Sequence, residues 1–400
     1  MGSSAATDVQ ERAIAASALP ASVCFVTSSF MMGQVLRGDT NDDVGGAEVQ
    51  MCQIASLLTV AGSRVSCIVG DEGGGEDVTT ADGIRVLTGY ARNSVAGGAT
   101  WIAEKWPALW SAMERADANV YITRGASWLA GAAAAFARLN GRRSIVWLAS
   151  DADVDAMNRG GGLPVHARIC WRQGVRWADA IVAQTAAQQS RMAAETGRVC
   201  KLVPNMWIAP GPQDALQVPE FDVLWVGNLR DRKRPMLALD VAERLPDLRF
   251  ALVGGPVPGE EDLHAAVLHR ASELGNVTCV GHVPHDQVHA YYRAASILLH
   301  TSAMEGFPNV FLEAWGEGLP VVSTFDPDDV IARHQLGRIA GSADQLADAV
   351  RDAVGFSKEK RREIAAWVRR THGQDTVVQA IEDVLSSLTV DGAAEGRCER

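Results

Sequence analysis

The feature that most constrains the fold is an alternation of short apolar runs with longer helical stretches, which occurs twice along the chain. In the first half, apolar runs such as Val23–Thr27 and Val120–Thr123 precede helical stretches such as Gly45–Val60 and Trp128–Leu139. Strands alternating with helices of this length predict a parallel sheet with helices on both faces. A single core rarely grows beyond about 250–300 residues. The 400 residues, with two such series, therefore predict two α/β domains.

The boundaries follow from a proline-containing segment without apolar periodicity, which separates the two series. We expect a first Rossmann-like domain over residues 1–205, a linker over 206–220 and a second Rossmann-like domain over 221–372. A helix over 373–388 is expected to pack back on the first domain, and 389–400 to form a tail. Ligands of such sheets bind at the carboxyl ends of the strands, so the cleft between the domains is the expected site.

Composition excludes several classes of protein. With 47% hydrophobic and 21% charged residues, the chain is neither disordered nor a coiled coil. A net charge of −11 disfavours nucleic-acid binding. The sequence offers no apolar run of about 18 residues, so we expect no transmembrane helix, and its start does not predict a secretory leader. The 7 cysteines contain no CxxC pair, which favours reduced thiols and a cytoplasmic location.

The densest motif is a turn and helix start between two glutamates, Glu305 and Glu313. Gly306 and Pro308 shape the turn, and Asn309 is expected to cap the helix. The N-terminus of that helix points unpaired N–H groups and the positive end of its dipole into the cleft, which suits a diphosphate. Carboxylates accept hydrogen bonds strongly and suit sugar hydroxyls. The alternative is a capped helix that carries surface glutamates.

This stretch resembles the E-x7-E signature of retaining GT-B glycosyltransferases of family 4, and the resemblance covers nearly the whole chain. Residues 226–235 resemble the family's "VGRLxxxKG" segment, and residues 45–48 its "GGAE" loop. Residues 281–284 resemble the turn that holds the nucleotide base, and residues 203–205 the "IPN" end of the first domain. The resemblance implies the GT-B fold, an α/β architecture of two Rossmann-like parallel-sheet domains facing across a cleft.

The resemblance also implies roles for individual residues. Lys233 neutralises the leaving diphosphate, with Arg232 as a weaker helper. Glu305 holds the transferred sugar, and Glu313 binds the ribose hydroxyls. The implied catalytic residues are Glu305, Lys233 and Asp151. The implied donor site comprises Gly45, Gly46, Gly227, Asn228, Arg232, Lys233, Gly254, His282, Val283, Glu305, Gly306, Phe307, Pro308, Asn309, Val310 and Glu313.

Two positions depart from the family pattern. Asn228 stands where an arginine is common, so neutralisation of the diphosphate is expected to depend more on Lys233, Arg232 or Arg230. Asp151 and Asp153 follow a strand where the family often has a histidine, so one of the two is expected to orient the acceptor. Their DxD spacing also occurs in metal-binding glycosyltransferases of another fold, but it lies far from the donor motifs. We expect no metal and no cofactor.

The implied activity is a retaining, metal-independent transfer of a hexose or N-acetylhexosamine from a nucleotide-diphosphate sugar, with UDP the favoured nucleotide. The acceptor is a glycan, a lipid-linked glycan or a small molecule, and polysaccharide assembly is one setting for it. Two alternatives share the donor pocket: a sugar-nucleotide epimerase and a non-catalytic sugar-nucleotide-binding protein. Turnover of a donor separates these three.

Two further groups have open interpretations. Arg168, Arg172 and Arg176 recur every four residues beside Trp171 and Trp177 and share one helix face. This face is either simply solvated or docks on a membrane surface or a phosphate-bearing acceptor.

The second group is a set of histidines in the second half. His282, His285 and His289 are spaced like metal ligands, although surface histidines are the simpler interpretation.

Overall fold

The two-domain parallel α/β architecture is confirmed. The computed structural model describes residues 19–27, 30–37, 46–71, 76–91, 99–158, 163–210 and 220–394. Within these residues, one sheet has 8 strands and the other has 6. The first sheet is built from the first half of the chain and the second from the second half, as the repeated alternation predicts.

The first domain is a sheet of strand order β3-β4-β2-β1-β5-β6-β7-β8 with helices on both faces. All its pairs are parallel except β3 with β4. Its strands are Ser22–Val26 (β1), Arg64–Asp71 (β2), Val78–Thr79 (β3), Arg85–Ala91 (β4), Val120–Arg124 (β5), Arg143–Trp147 (β6), Ala180–Ala183 (β7) and Lys201–Leu202 (β8). Its helices are Phe30–Arg37 (α1), Gly46–Val60 (α2), Ala99–Ala116 (α3), Trp128–Leu139 (α4), Asp151–Asn158 (α5), Val165–Trp177 (α6) and Ala186–Thr196 (α7).

The second domain is a wholly parallel sheet of order β11-β10-β9-β12-β13-β14. Its strands are Val223–Val226 (β9), Phe250–Val253 (β10), Val277–Gly281 (β11), Ile297–His300 (β12), Val321–Ser323 (β13) and Gly337–Ile339 (β14). Its helices are Pro235–Arg244 (α8), Glu261–Glu273 (α9), His285–Ala294 (α10), Asn309–Gly316 (α11), Val330–His334 (α12), Ala343–Val354 (α13) and Lys358–His372 (α14), followed by Gln374–Ala394 (α15).

The last helix, α15, joins the core of the first domain. Val377, Ile381 and Leu385 are buried in one cluster with Phe25 and Ile54 of that domain. Burial of apolar surface stabilises by roughly 25 cal/mol per Å², so this helix ties the two domains together.

The predicted tail is wrong in part, because α15 continues to Ala394. This stretch contains Asp391-Gly392, a dipeptide that resembles a helix end. A single glycine costs only about 1 kcal/mol relative to alanine in a helix, and it does not stop this one.

The four helices and strands named from the sequence lie within one residue of their predicted bounds, whereas several short elements were not predicted. These are α1, α5, α12, β3 and β14. Elements of one or two turns carry too few apolar repeats for a period to show in the sequence. In the described part of the chain, no helix is long and apolar enough to cross a membrane.

Candidate active site at the domain junction

The carboxyl ends of the strands of both sheets meet where α11 begins. Asn205 donates from Nδ2 to the Phe307 carbonyl at 2.9 Å, and the Phe307 amide donates to Gln184 Oε1 at 3.3 Å. Asn309 Nδ2 donates to the Gly46 carbonyl at 2.8 Å. A Cβ atom on Gly306 would lie 2.8 Å from the Ala149 carbonyl oxygen. The glutamate-flanked turn therefore contacts the first domain directly.

The helix start differs from the sequence expectation. Pro308 occupies the position before the first helical residue and makes no side-chain cap, and Asn309 is the first residue of α11. The prediction that Asn309 caps its own helix is wrong, because its amide side chain reaches across the junction to Gly46 and Asn205. Pro308 supplies no side-chain cap, although the Phe311 amide donates to its carbonyl at 3.1 Å. A helix end without a side-chain cap suits an anion.

Lys233 and Glu305 form an ion pair beside this helix end. Lys233 ends a short 3-10 turn, and its carbonyl accepts a hydrogen bond from Thr301 Oγ1 at 2.7 Å. The side chains are only 19% and 13% exposed, so water screens the pair weakly. Burial raises the pKa of Glu305, but the neighbouring His300 and the charge and hydrogen bond of Lys233 outweigh burial and hold that pKa well below its usual range. Glu305 is therefore an anion at neutral pH.

His300, the last residue of β12, lies behind Glu305. Its Nδ1 lies 3.0 Å from Ser323 Oγ, and its Nε2 lies 3.7 Å from Glu305 Oε1. Ser323 Oγ in turn donates to the Phe325 carbonyl at 2.8 Å. Burial lowers the pKa of His300 despite the nearby Glu305 charge. The imidazole is thus neutral and is held in place beside Glu305.

Glu313 points from the second turn of α11 toward α10. Tyr292 donates its hydroxyl to Glu313 Oε2 at 2.7 Å, and His285 Nε2 lies 3.2 Å from Oε1. Burial raises the pKa of Glu313, but these two partners and His289 together keep it below its usual range. The carboxylate is held in one orientation and retains lone pairs for further hydroxyl donors.

Two glycines bring the ends of β9 and β10 together. A Cβ atom on Gly254 would lie 1.9 Å from the Gly227 carbonyl oxygen, so no other residue fits there. Asn228 follows directly, and its carbonyl accepts from the Arg230 amide at 2.8 Å. This close approach leaves a floor of bare backbone beside Lys233, as a bound diphosphate requires.

The remaining donor-site residues lie around this floor. His282 is exposed and Val283 half-buried in the loop between β11 and α10. Arg232 is exposed, and its carbonyl accepts from the Ala303 amide at 2.8 Å. Val310 is half-buried in the first turn of α11. Gly45 lies outside the described residues.

The two aspartates of the DxD run have different environments. Asp153 is buried and accepts hydrogen bonds from the amides of Ala126, Ala149 and Ser150, so it fixes the loops after β5 and β6. Asp151 accepts from Gln188 Nε2 at 3.1 Å and is 28% exposed. Of the two, only Asp151 keeps carboxylate capacity for an acceptor, and that role stays a prediction.

On helix α6, one of the two tryptophans named beside the arginines does not lie on the basic face. Trp171 is fully buried and donates from Nε1 to the Asp153 carbonyl at 3.2 Å, so it is part of the core and not of the basic face. Arg172 and Arg176 are exposed, and Trp177 is 39% exposed.

Metal ligation was one of the two open interpretations of His282, His285 and His289. Among the residues placed by the structure, no group of three or more His, Cys, Asp or Glu side chains is arranged to hold a metal ion. His285 is instead a partner of Glu313, and burial lowers the pKa of His289.

Sequence reasoning missed the residues that hold the junction and orient the site. Tyr292 and Gln184 give no motif, since their partners are distant in sequence. Asn205 was noted only as the end of a domain, although its side chain joins the two halves. Arg124, at the end of β5, was missed as well, and it donates from Nη2 to Asn205 Oδ1 at 3.2 Å.

Both halves of the chain match family models of glycosyltransferases. Residues 45–205 match the glycosyl transferase 4-like domain, and residues 220–355 match the glycosyl transferases group 1 model. Among curated proteins, D-inositol 3-phosphate glycosyltransferase of Mycolicibacterium gilvum is 28% identical over 239 residues, which are 56% of this chain and 50% of that protein. The same enzyme of Mycobacteroides abscessus is 36% identical over 111 residues, 27% of this chain and 25% of that one. The matches thus span half or less of these relatives.

Solved structures show the same fold. Sucrose-phosphate synthase of Thermosynechococcus elongatus aligns over 92% of this chain and 99% of its own, with a TM-score of 0.71 and 18% identity. HepE of Anabaena, solved in complex with UDP and glucose, aligns over 92% of this chain and 99% of its own, with a TM-score of 0.68 and 18% identity. At this identity, the likeness establishes the architecture.

Proposed function

This chain belongs to family 4 of the GT-B glycosyltransferases, and we propose that it moves a sugar from a nucleotide-diphosphate donor to an acceptor, with retention of configuration and without a metal. The observation that carries this proposal is the Lys233–Glu305 ion pair beside the start of α11. A fixed cation, a fixed carboxylate and an uncapped helix end are what a departing diphosphate and a sugar require.

The donor is held by the second domain. The diphosphate lies on the backbone floor at Gly227 and Gly254 and against the first turn of α11, with Lys233 as its counter-charge. Glu313 accepts hydrogen bonds from the ribose hydroxyls, and the backbone at His282 and Val283 holds the base. UDP is the proposed nucleotide, which the HepE complexes with UDP and UDP-glucose support.

The pair reorganises when the donor binds. In the unliganded site, the Lys233 ammonium and the Glu305 carboxylate neutralise each other as an ion pair. The diphosphate offers Lys233 a stronger partner, which frees Glu305 to accept hydrogen bonds from hydroxyls of the transferred sugar. Because His300 is neutral and fixed behind it, Glu305 keeps its place as the sugar carbon develops positive charge.

The chemical step is a substitution on one face of the sugar. The bond from the anomeric carbon to the β-phosphate oxygen breaks, and the acceptor hydroxyl forms its bond from the same side. The acceptor proton passes to the leaving phosphate oxygen, so UDP and the glycoside are the products. Lys233, the α11 N-terminus and Arg232 stabilise the departing charge, which is the main contribution of the protein to the rate.

The acceptor binds on the first-domain side, where Asp151 orients its hydroxyl. The curated relatives carry the name of a phosphorylated cyclitol as acceptor, which favours a small polar acceptor over a long glycan. A lipid-linked glycan is the second candidate, because α6 exposes apolar and basic side chains side by side. Val165 and Ile169 are 63% and 62% exposed near Arg172 and Arg176, as in helices that lie on anionic membranes.

The setting is proposed to be the cytoplasm. The six described cysteines are free thiols, and burial raises the pKa of Cys24, Cys52 and Cys67. Such thiols are typical of a reducing compartment.

A donor screen tests the proposal. The purified chain is incubated with UDP-, GDP-, ADP- and dTDP-sugars, with and without EDTA, and the products are identified by mass spectrometry and NMR. We expect slow release of UDP and of a sugar with the donor's anomeric configuration, unchanged by EDTA. Epimerised donor without free nucleotide would establish the epimerase instead. Binding of UDP-sugars without any turnover, even with acceptors, would establish a sugar-nucleotide-binding protein.

A further inference from the structure

An arginine with buried guanidinium nitrogens that have no partner among the described residues lies on the first-domain side of the junction. Arg124 is the last residue of β5, and its Nη2 donates to Asn205 Oδ1 at 3.2 Å. Its Nε and Nη1 atoms are buried and have no hydrogen-bond partner within the described parts of the chain. Arginine carries five N–H donors, so most of this guanidinium is unused.

The neighbouring strand adds another unused donor. Trp147 ends β6, and it is the register partner of Arg124 in the sheet. The guanidinium carbon lies 5.6 Å from the centre of the indole ring. Trp147 Nε1 is also buried and unpaired among the described residues. Two adjacent side chains thus present, at the carboxyl edge of the sheet, three nitrogen atoms that have no partner in the ranges that the structure describes.

This arrangement costs the folded state stability. A buried charge is normally paired, because removing it from water without a partner is expensive. Burial lowers the pKa of Arg124 to about 10, although the charges of Glu48 and Asp153 act in the opposite direction. Asp153 cannot serve as a full partner, since backbone amides occupy its carboxylate. The guanidinium nevertheless stays charged at neutral pH.

We propose that Arg124 and Trp147 form a pocket that binds an anionic group, a phosphate monoester or a carboxylate, of the sugar acceptor. This inference rests on the proposed function and names its substrate class. The donor diphosphate already has Lys233 and α11 in the second domain, whereas Arg124 belongs to the first-domain sheet. Through Asn205, which contacts Phe307 and Asn309, the pocket lies next to the start of α11. An acceptor anchored there can direct a hydroxyl toward the donor sugar.

The test measures anion binding with the donor site occupied. The full chain is saturated with UDP and titrated by calorimetry with inorganic phosphate and with acetate, with chloride as the control for ionic strength. We expect specific binding of phosphate or acetate to the wild-type chain, and the stronger of the two identifies the anionic group. Arg124→Met should weaken that binding at least tenfold, in line with loss of charged hydrogen bonds. Trp147→Phe should weaken it by a smaller factor.

Matched measurements separate this proposal from the donor site and from a structural role. Arg138→Met changes an exposed arginine of α4 and should leave anion binding unchanged. Arg124→Met should bind UDP within twofold of wild type and melt at the same temperature or higher, because an unpaired buried charge has been removed. If that variant does not fold, Arg124→Lys, which keeps the charge but loses the planar fork, should show the weakened anion binding.

Three results would overturn the proposal. The first is wild-type anion affinity in every folded Arg124 variant, and the second is the absence of specific binding of either anion to the wild-type chain. The third is a loss of UDP affinity in parallel with anion affinity, which would assign Arg124 to the donor. Donor hydrolysis by the same variants reports on the proposed function separately, because the donor site does not include Arg124.

Discussion

Asn205 and Asn309 are joined side chain to side chain across the domain junction, with Asn205 Nδ2 donating to Asn309 Oδ1 at 3.0 Å. On one side, Arg124 donates to Asn205. On the other, Asn309 Nδ2 donates to the carbonyl of Gly46 at the start of α2. The chain of hydrogen bonds therefore runs from the first domain to the second and back. It holds the start of α11 against the first domain.

Removing this amide should loosen the junction. In Asn309→Ala, the bonds to Asn205 and Gly46 are lost, and each is worth about 1 kcal/mol net. We expect kcat/KM for transfer to fall roughly tenfold, and small-angle scattering to show a larger radius of gyration. Asn140→Ala, at the exposed C-cap of α4, should change neither quantity. An unchanged radius and rate in Asn309→Ala would show that the junction does not depend on this amide.

Tyr292 should contribute to nucleotide binding without contacting the nucleotide. Its hydroxyl orients Glu313, the proposed ribose ligand. We expect Tyr292→Phe to weaken UDP binding several-fold and Glu313→Gln to weaken it by tenfold or more, measured by calorimetry. The adjacent Tyr291→Phe is the matched control and should bind UDP as wild type does. Wild-type affinity in both Tyr292→Phe and Glu313→Gln would remove Glu313 from the ribose site.

His372 should make the stability depend on pH. It lies beside the Phe307 ring, and its Nδ1 lies 2.8 Å from the Asn205 carbonyl. Burial lowers its pKa from 6.5 to about 4. As the pH falls from 6.5 toward 4, the unfolded chain takes up a proton that the folded chain does not, so stability is lost over this window.

The variant His372→Asn keeps a donor for that carbonyl and removes the titration. Between pH 7 and pH 5, wild type should lose roughly 2 kcal/mol more of its free energy of unfolding than this variant does, measured by urea denaturation. His269→Asn, at a surface position, should follow wild type. Parallel pH profiles for wild type and His372→Asn would contradict the assignment of a neutral, buried imidazole.

The basic face of α6 should bind anionic lipid. Each basic residue near such a surface contributes about 1 kcal/mol. Arg172→Glu with Arg176→Glu should therefore lower partitioning onto phosphatidylglycerol vesicles at least tenfold in a sedimentation assay. Arg138→Glu with Arg362→Glu makes the same change of charge at two other exposed positions and should partition as wild type. If both double variants behave alike, the face is simply solvated.

The fold could be predicted from the sequence because its main elements carry strong local periodicity. Trp128–Leu139 is a helix over the predicted residues. The predicted apolar runs Val23–Thr27 and Val120–Thr123 lie within one residue of the strands Ser22–Val26 and Val120–Arg124. The extension of α15 to Ala394 could not be predicted, because the sequence Asp391-Gly392 resembles a helix end.

The candidate site could be predicted only where its residues are close in sequence. Glu305 and Glu313 stand within one motif, so their common helix was recognisable. Asn309 was assigned a local capping role because its partners, Asn205 and Gly46, lie far away in the chain. Arg124 carries no motif at all, and it is distinguished only by two buried guanidinium nitrogens that have no partner in the described part of the chain.

The most direct test of the central claim is single-turnover cleavage of the UDP-sugar identified by the donor screen, compared between wild type, Lys233→Met, Glu305→Gln and the double variant. Removal of one preorganised electrostatic contact typically costs about 10²–10³ in rate. We predict that each single variant lowers the single-turnover rate at least 10²-fold. The double variant should lower that rate by less than the product of the two single effects, because the two residues act as a unit. Near wild-type rates in both single variants, with UDP-sugar binding intact, would contradict the account.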